Sequence, residues 1–168
     1  MERSLPPTEQ PGPVNNLHNL TVREILDEMH HVDDDVQQAV REAMPALALL
    51  AESLIDRMRN GGRLFYLGAG TSGRLGVVDA SECPPTFGVA QDRVVGLMAG
   101  GDSAIRTAVE GAEDDPEQGW KDLKAHGIKS LDTVVGIAAS GRTPYVIGAL
   151  RHAKSKGMLT GLSLIHIS

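Results

Sequence analysis

Beyond residue 60, short apolar runs alternate with stretches of helical period. Residues 64–67, 94–98 and 133–138 are rich in β-branched, aromatic or other apolar side chains, and each is the length of a buried strand. Apolar positions at helical spacing follow each run. They are Leu75, Val77 and Val78 after the first, Ala104, Ile105, Ala108, Val109 and Ala112 after the second, and Val146, Ile147 and Leu150 after the third. Gly157 is the expected C′ residue of the last helix. A further short helix is expected from Asp115 and Pro116 through Trp120 and Leu123 to about Gly127. Strands alternating with helices predict an α/β fold, a doubly wound parallel sheet.

The chain upstream is helical in pattern. Thr21 and Glu24 have capping-box spacing and open a helix with Val22, Ile25, Leu26 and Met29 on one side. His30 and His31 are expected at its end, where adjacent helical residues point apart and make a poor metal pair. Asp33, Asp34 and Asp35 read as the cap and acidic first turn of a second helix. That helix carries Val40, Met44, Leu47, Leu54 and Met58, with Pro45 as a kink or a new start and Gly61-Gly62 as the stop. Residues 17–60 are thus a helical lead-in. Its long apolar stripe should pack on the next domain or on a partner chain. Residues 1–16, with Pro6, Pro7, Pro11 and Pro13, read as a mobile arm.

Composition narrows the class. The chain has 168 residues, suited to one domain, and a net charge of −6, so it offers no basic patch for nucleic acid or an acidic membrane. Cys83 is its single cysteine, which rules out an internal disulfide and fits a reducing compartment. No apolar run reaches the roughly 20 residues of a membrane span. The polar N-terminus lacks a signal-peptide core, so the expected location is cytoplasmic.

Candidate chemistry gathers at two turns. Gly68, Gly70 and Gly73 follow the first strand and open a helix, with Thr71 and Ser72 between the last two glycines. Backbone N–H groups and the positive end of a helix dipole then face one small space, which suits a phosphate. The same glycine spacing marks dinucleotide-binding folds, but the acidic residue expected after the second strand is replaced by Ala99-Gly100-Gly101. The alternative is a tight turn and nothing more. After the third strand, Ser140, Arg142 and Thr143 form a comparable turn, with Pro144 opening the helix. Both turns lie between a strand and a helix, so both belong at one edge of the sheet, where ligands of such sheets bind. An ordinary cap with a surface arginine is the alternative for the second.

Two carboxylates attract attention. Glu82 is expected in a turn just past the helix of the glycine motif, held by Pro84 and Pro85, where it is a candidate general acid or base and a solvated surface carboxylate is the alternative. Glu110 is read as the i,i+4 partner of Arg106, whereas Glu113 falls at the margin of the buried face and within reach of a cleft. Cys83 has no histidine beside it in sequence and reads as a packed thiol.

These motifs carry a family resemblance. GAGTSGRLGVVDASECPPTFGV, AGG, AVEGAEDD and GIAASGRTPYVIGAL resemble the N-acetylmuramic acid 6-phosphate etherases, bacterial enzymes of the sugar isomerase (SIS), flavodoxin-like fold, from about Asn16 to Thr160. The resemblance implies cleavage of the D-lactyl ether at sugar carbon 3, in cell-wall recycling, with neither metal nor nucleotide cofactor. It implies Glu82 and Glu113 as the catalytic pair. The assignment expected is Glu82 protonating the leaving oxygen and Glu113 taking the proton from carbon 2. Thr71, Ser72, Ser140 and Thr143, with Arg142, would bind the substrate phosphate. It also implies homodimers whose sites draw on both subunits. Two other readings share the fold: a non-catalytic sugar-phosphate sensor like the glucokinase regulatory proteins, and a sugar-phosphate isomerase. Keeping both glutamate motifs favours the etherase, and no motif supplies an isomerase histidine or lysine. The SIS domain is expected over residues 61–161 and to be incomplete at its C-terminus. Residues 162–168 do not resemble the family; they resemble a translated sequencing adapter and are expected to be non-native.

Overall fold

The structure, a computed structural model, describes residues 10–12, 14 and 16–164. Most of the arm expected over residues 1–16 and the last four residues of the expected tail lie outside them. A 3-10 turn at Leu17–Asn19 precedes the long helix α1 (Val22–Arg59). Thr21 opens α1 with the expected capping box. Its hydroxyl accepts the Glu24 N–H at 3.3 Å, and its own N–H donates to Glu24 Oε2 at 2.7 Å.

The lead-in is one helix, not two. α1 runs for 38 residues, about 57 Å at the usual rise. His30 and His31 therefore lie inside it, and Asp33, Asp34 and Asp35 cap nothing. The physical reason is modest: aspartate in a helix interior costs under about 1 kcal/mol per residue, and no glycine interrupts the run. Pro45 also lies inside and does not divide the helix. Only the C-terminal part of α1 docks. Leu54 and Met58 pack with Leu64, Ala80 and Val94. Arg57 donates to the Ser130 carbonyl at 2.9 Å. Toward the other end Val22, Leu26 and Met29 are 75%, 56% and 61% exposed, so that stretch of the apolar stripe is bare.

Four parallel strands form the sheet in the order β2-β1-β3-β4: β1 (Leu64–Gly68), β2 (Val94–Met98), β3 (Thr133–Ile137) and β4 (Leu159–Ser163). Side-chain alternation sorts the two faces. Phe65, Leu67 and Val134 pack under α4 (Gln118–Ala125) and α5 (Pro144–Ser155), with Leu123, Tyr145, Val146 and Ala149 completing that core. Leu64 and Tyr66 turn to the other face, against α1 and α2 (Gly70–Phe87). β4 was not foreseen. Its five residues, Leu-Thr-Gly-Leu-Ser, are half-exposed and of mixed polarity, and they run into the segment expected to be foreign.

Two local expectations fail. SECPPT is no extended turn: α2 continues through Pro84 and Pro85 to Phe87 and closes at Gly88, whose N–H reaches the Pro84 carbonyl at 2.9 Å. Proline's fixed φ is helical, and Ala80 and Cys83 hold this stretch against Leu64 and Val94. The helix expected over 104–112 is only a single turn, α3 (Ser103–Arg106). Thr107 is extended and Gly111 has φ +70°, so the rest of that segment is loop. The Arg106–Glu110 ion pair, which needed a helix, does not form.

Candidate functional site

The strand order reverses between β1 and β3, because the chain leaves β1 for β2 on one side and returns to β3 on the other. Gly68 is in register with both Met98 and Ile137, so all three strands end at one rim. The Thr71–Ser72 corner and the Ser140–Thr143 corner therefore leave neighbouring strands side by side. That is the placement the sequence predicted.

All three glycines of the first corner are required. Gly70 has φ +53°, a left-handed conformation that side chains disfavour. A Cβ on Gly68 would lie 2.6 Å from the Gly73 nitrogen, and one on Gly73 would lie 2.6 Å from Met98 Cβ. The first turn of α2 thus presses directly on the ends of β1 and β2. Its N-cap, Ala69, has no side chain to accept a hydrogen bond. The amides of Gly70, Thr71 and Ser72 consequently lack helical partners and point outward with the helix dipole, a ready anion seat.

The second corner works differently. Pro144 has no N–H, the Tyr145 N–H donates to the Glu113 carbonyl at 3.0 Å, and those of Val146 and Ile147 return to Thr143. α5 therefore has no spare amides for an anion. Its contribution must come from side chains: Thr143, whose hydroxyl caps nothing, Arg142, which is exposed, and Ser140, whose Oγ accepts the Arg142 N–H at 3.3 Å.

A cavity of about 190 Å³ opens beside the first corner, lined by Gly70, Arg74, Ala99, Val109, Glu110 and Glu113 among others. Glu113 thus meets the α2 N-terminus in one recess while its carbonyl touches the start of α5. Thr71, Ser72, Ser140, Arg142 and Thr143 sit at the rim outside the lining. Glu82 is not brought in. It lies inside α2, not in a turn, 12 residues beyond Gly70, roughly 18 Å along the helix axis. Its neighbours Ala80 and Cys83 pack at the starting ends of β1 and β2, so Glu82 belongs to the opposite rim of its own chain.

Sequence reading missed two cavity residues. The sequence pattern places Glu110 in an ion pair and gives Arg74, beside the glycine turn, no role, whereas both line the cavity. Cys83 behaves as expected of a packed thiol: burial, with Asp79 nearby, pushes its pKa up, and Sγ donates to the Asp79 carbonyl at 3.4 Å. Among the described residues no group of three or more His, Cys, Asp or Glu is placed to hold a metal ion, and no helix is long and apolar enough to cross a membrane.

The parallel sheet, its reversal point and an open helix N-terminus at that point define a doubly wound α/β domain of the kind that binds anionic ligands at its rim. Residues 46–154 match the family of the glucokinase regulatory protein N-terminal SIS domain, and the chain belongs to that family. It is 57% identical over 154 residues to the N-acetylmuramic acid 6-phosphate etherase of Porphyromonas gingivalis strain W83, covering 92% of this chain and 56% of that protein. It is 58% identical over 146 residues to the protein of that name from Halalkalibacterium halodurans, covering 87% of this chain and 49% of that one. The chain spans about half the length of these curated relatives. A phosphoheptose isomerase from Francisella tularensis shares the fold, with TM-score 0.59 at 24% identity over 83% of this chain and 74% of that one.

Proposed function

We propose that the full-length protein is a carbon–oxygen lyase that acts on N-acetylmuramic acid 6-phosphate in cell-wall amino sugar recycling, releasing D-lactate and N-acetylglucosamine 6-phosphate. The observation that supports this most is the recess in which Glu113 meets the uncapped start of α2. The names of the relatives point the same way. A 6-phosphate seated on the amides of Gly70, Thr71 and Ser72, with hydroxyls from Thr71, Ser72, Ser140 and Thr143 and the charge of Arg142, leaves the sugar ring to extend toward Glu113.

In this reading Glu113 takes the proton from carbon 2. Its electron pair becomes the C2–C3 double bond, and the lactyl oxygen departs with a proton from Glu82. Water then adds back, its oxygen to carbon 3 and a proton to carbon 2. Glu82 does this work from a second copy of the chain. Thr71, Leu75, Val78 and Glu82 recur at helical spacing on α2 and are all exposed. The exposed apolar pair at the centre of this row, Leu75 and Val78, calls for a cover. Two copies packed along this row, antiparallel across a twofold axis, set Glu82 of each beside the Thr71 corner of the other.

The test is release of D-lactate from the phosphorylated muramic sugar by the full-length protein; sugar binding without release would make it a sensor instead. Glu82→Ala and Glu113→Ala should each be inactive. Mixed and reassembled, the two variants should regain about a quarter of the wild-type sites, as random pairing of shared sites requires. Two inactive variants that stay inactive when mixed would rule out the shared site.

A further inference from the structure

We propose that Arg74 is a positioning residue, the clasp that holds the wall bearing Glu113 against the anion corner. Arg74 lies one turn into α2, four residues past Gly70, and is partly buried. Its guanidinium donates from Nε to the Ile105 carbonyl at 2.8 Å and from Nη2 to the Ala104 carbonyl at 2.9 Å. Those carbonyls are the ones a longer α3 would have bonded to the amides of residues 108 and 109. Arg74 takes the place of that next turn, so the chain is free to leave the helix at Thr107 and fold over as the 107–113 loop. The loop forms one side of the cavity, and Arg74 is its single lining lysine or arginine.

The consequence is a rigid link between binding and chemistry. A phosphate on the α2 amides sits one helix turn before Arg74, and Arg74 grips the residues leading into the Glu113 loop. The far end of that loop is fixed as well, because the Glu113 carbonyl accepts the Tyr145 N–H. Removing the guanidinium leaves the phosphate corner in place and frees one end of the carboxylate-bearing wall. A planar fork can bridge two successive carbonyls where a lysine ammonium reaches one.

This inference rests on the reading that Glu113 acts on the sugar, and the experiment separates the two. In full-length protein, Arg74→Gln should lower kcat roughly 10- to 100-fold while KM stays within about threefold, because misplacement affects the reacting group and not the phosphate seat. Arg74→Lys should fall between the two. Hydrogen exchange should quicken about tenfold or more at the amides of 104–113 and stay unchanged in α5, as loss of charge-assisted bonds requires. If the wild type releases no D-lactate, the exchange measurement alone decides for Arg74. If Arg74→Gln does not fold, Arg74→Lys decides. Wild-type exchange over 104–113, or a loss confined to KM, overturns the proposal.

Discussion

The N–H of Tyr145 donates to the carbonyl oxygen of Glu113 across 3.0 Å, tying the loop over the cavity to the start of α5. Tyr145 has no room to drift. Its ring is fully buried, its hydroxyl donates to Asp122 Oδ2 at 2.7 Å, and Gln118 donates to Asp122 Oδ1 at 2.7 Å. The carboxylate-bearing residue thus inherits its backbone position from the packed core between α4 and α5. The other anchor is Arg74, which holds the Ala104 and Ile105 carbonyls at the near end of the same segment.

Alkaline titration should expose the two tyrosines together with unfolding. Tyr66 and Tyr145 are the only two in the chain, and burial, aided by Asp79 and Asp122 respectively, raises both phenols well above their ordinary value. The folded state holds both protonated, so their contribution is complete below about pH 10 and drains away as pH climbs beyond it. Phenolate absorbance should stay absent from the native protein and rise in one step with loss of circular dichroism. A gradual rise near pH 10 in folded protein contradicts this burial.

Asp132→Ala should cost about 3–5 kcal/mol, the penalty for stranding a buried charge. Asp132 is 1% exposed and accepts from the Arg63 N–H at 2.9 Å, the Lys129 N–H at 2.8 Å and Arg63 Nη2 at 2.8 Å. It pins the turn before β3 to the turn before β1. Urea unfolding midpoints measure the loss, and a change under about 1 kcal/mol rejects the assignment.

Gly73→Ala should destabilise by about 1–3 kcal/mol through overpacking. The added methyl meets Met98 Cβ at 2.6 Å and the Gly68 carbonyl oxygen at 2.8 Å, and neither is the end of a flexible chain. The first turn of α2 must lift, so affinity for inorganic phosphate should fall with the melting temperature. Unchanged values of both would refute the close approach.

Thr133→Val runs the other way. Thr133 is fully buried, and its hydroxyl has no hydrogen-bond partner in the structure. Replacing it by a methyl of similar shape removes an unsatisfied group, so stability should hold or rise by up to about 1 kcal/mol. A clear loss would mean the hydroxyl is bonded in solution.

What was legible in the sequence was local and strongly patterned. β1, β2 and β3 stood out as apolar runs ending in glycine or alanine, and the two corners followed from strand, turn and helix order. β4 was hidden because Thr160, Gly161 and Ser163 dilute its apolar pattern, whereas β2, the other edge strand, is almost wholly apolar. The misread helix after β2 has a different cause. Ala104, Ile105, Ala108 and Val109 do carry a helical period, but Arg74, some thirty residues earlier, supplies the bonds that end it. Glu82 was mislocated for a related reason. Two prolines argue for a break in isolation, whereas packing of Ala80 and Cys83 carries the helix through them. The split lead-in failed because three aspartates resemble a cap wherever nothing else decides. Tertiary partners, invisible in one sequence, settled the helix after β2 and the course of α2.

The reach of α1 makes helicity itself a gauge of company. A lone helix in water is marginal, and the first half of α1 has little beyond its capping box and an Arg23–Asp27 pair at 2.8 Å to hold it. Should a second copy cover that half in the proposed dimer, dilution to single molecules would fray it and weaken the dichroism at 222 nm, and raising the concentration would restore it. If the second copy proposed above also covers α1, secondary structure in this protein becomes a function of concentration.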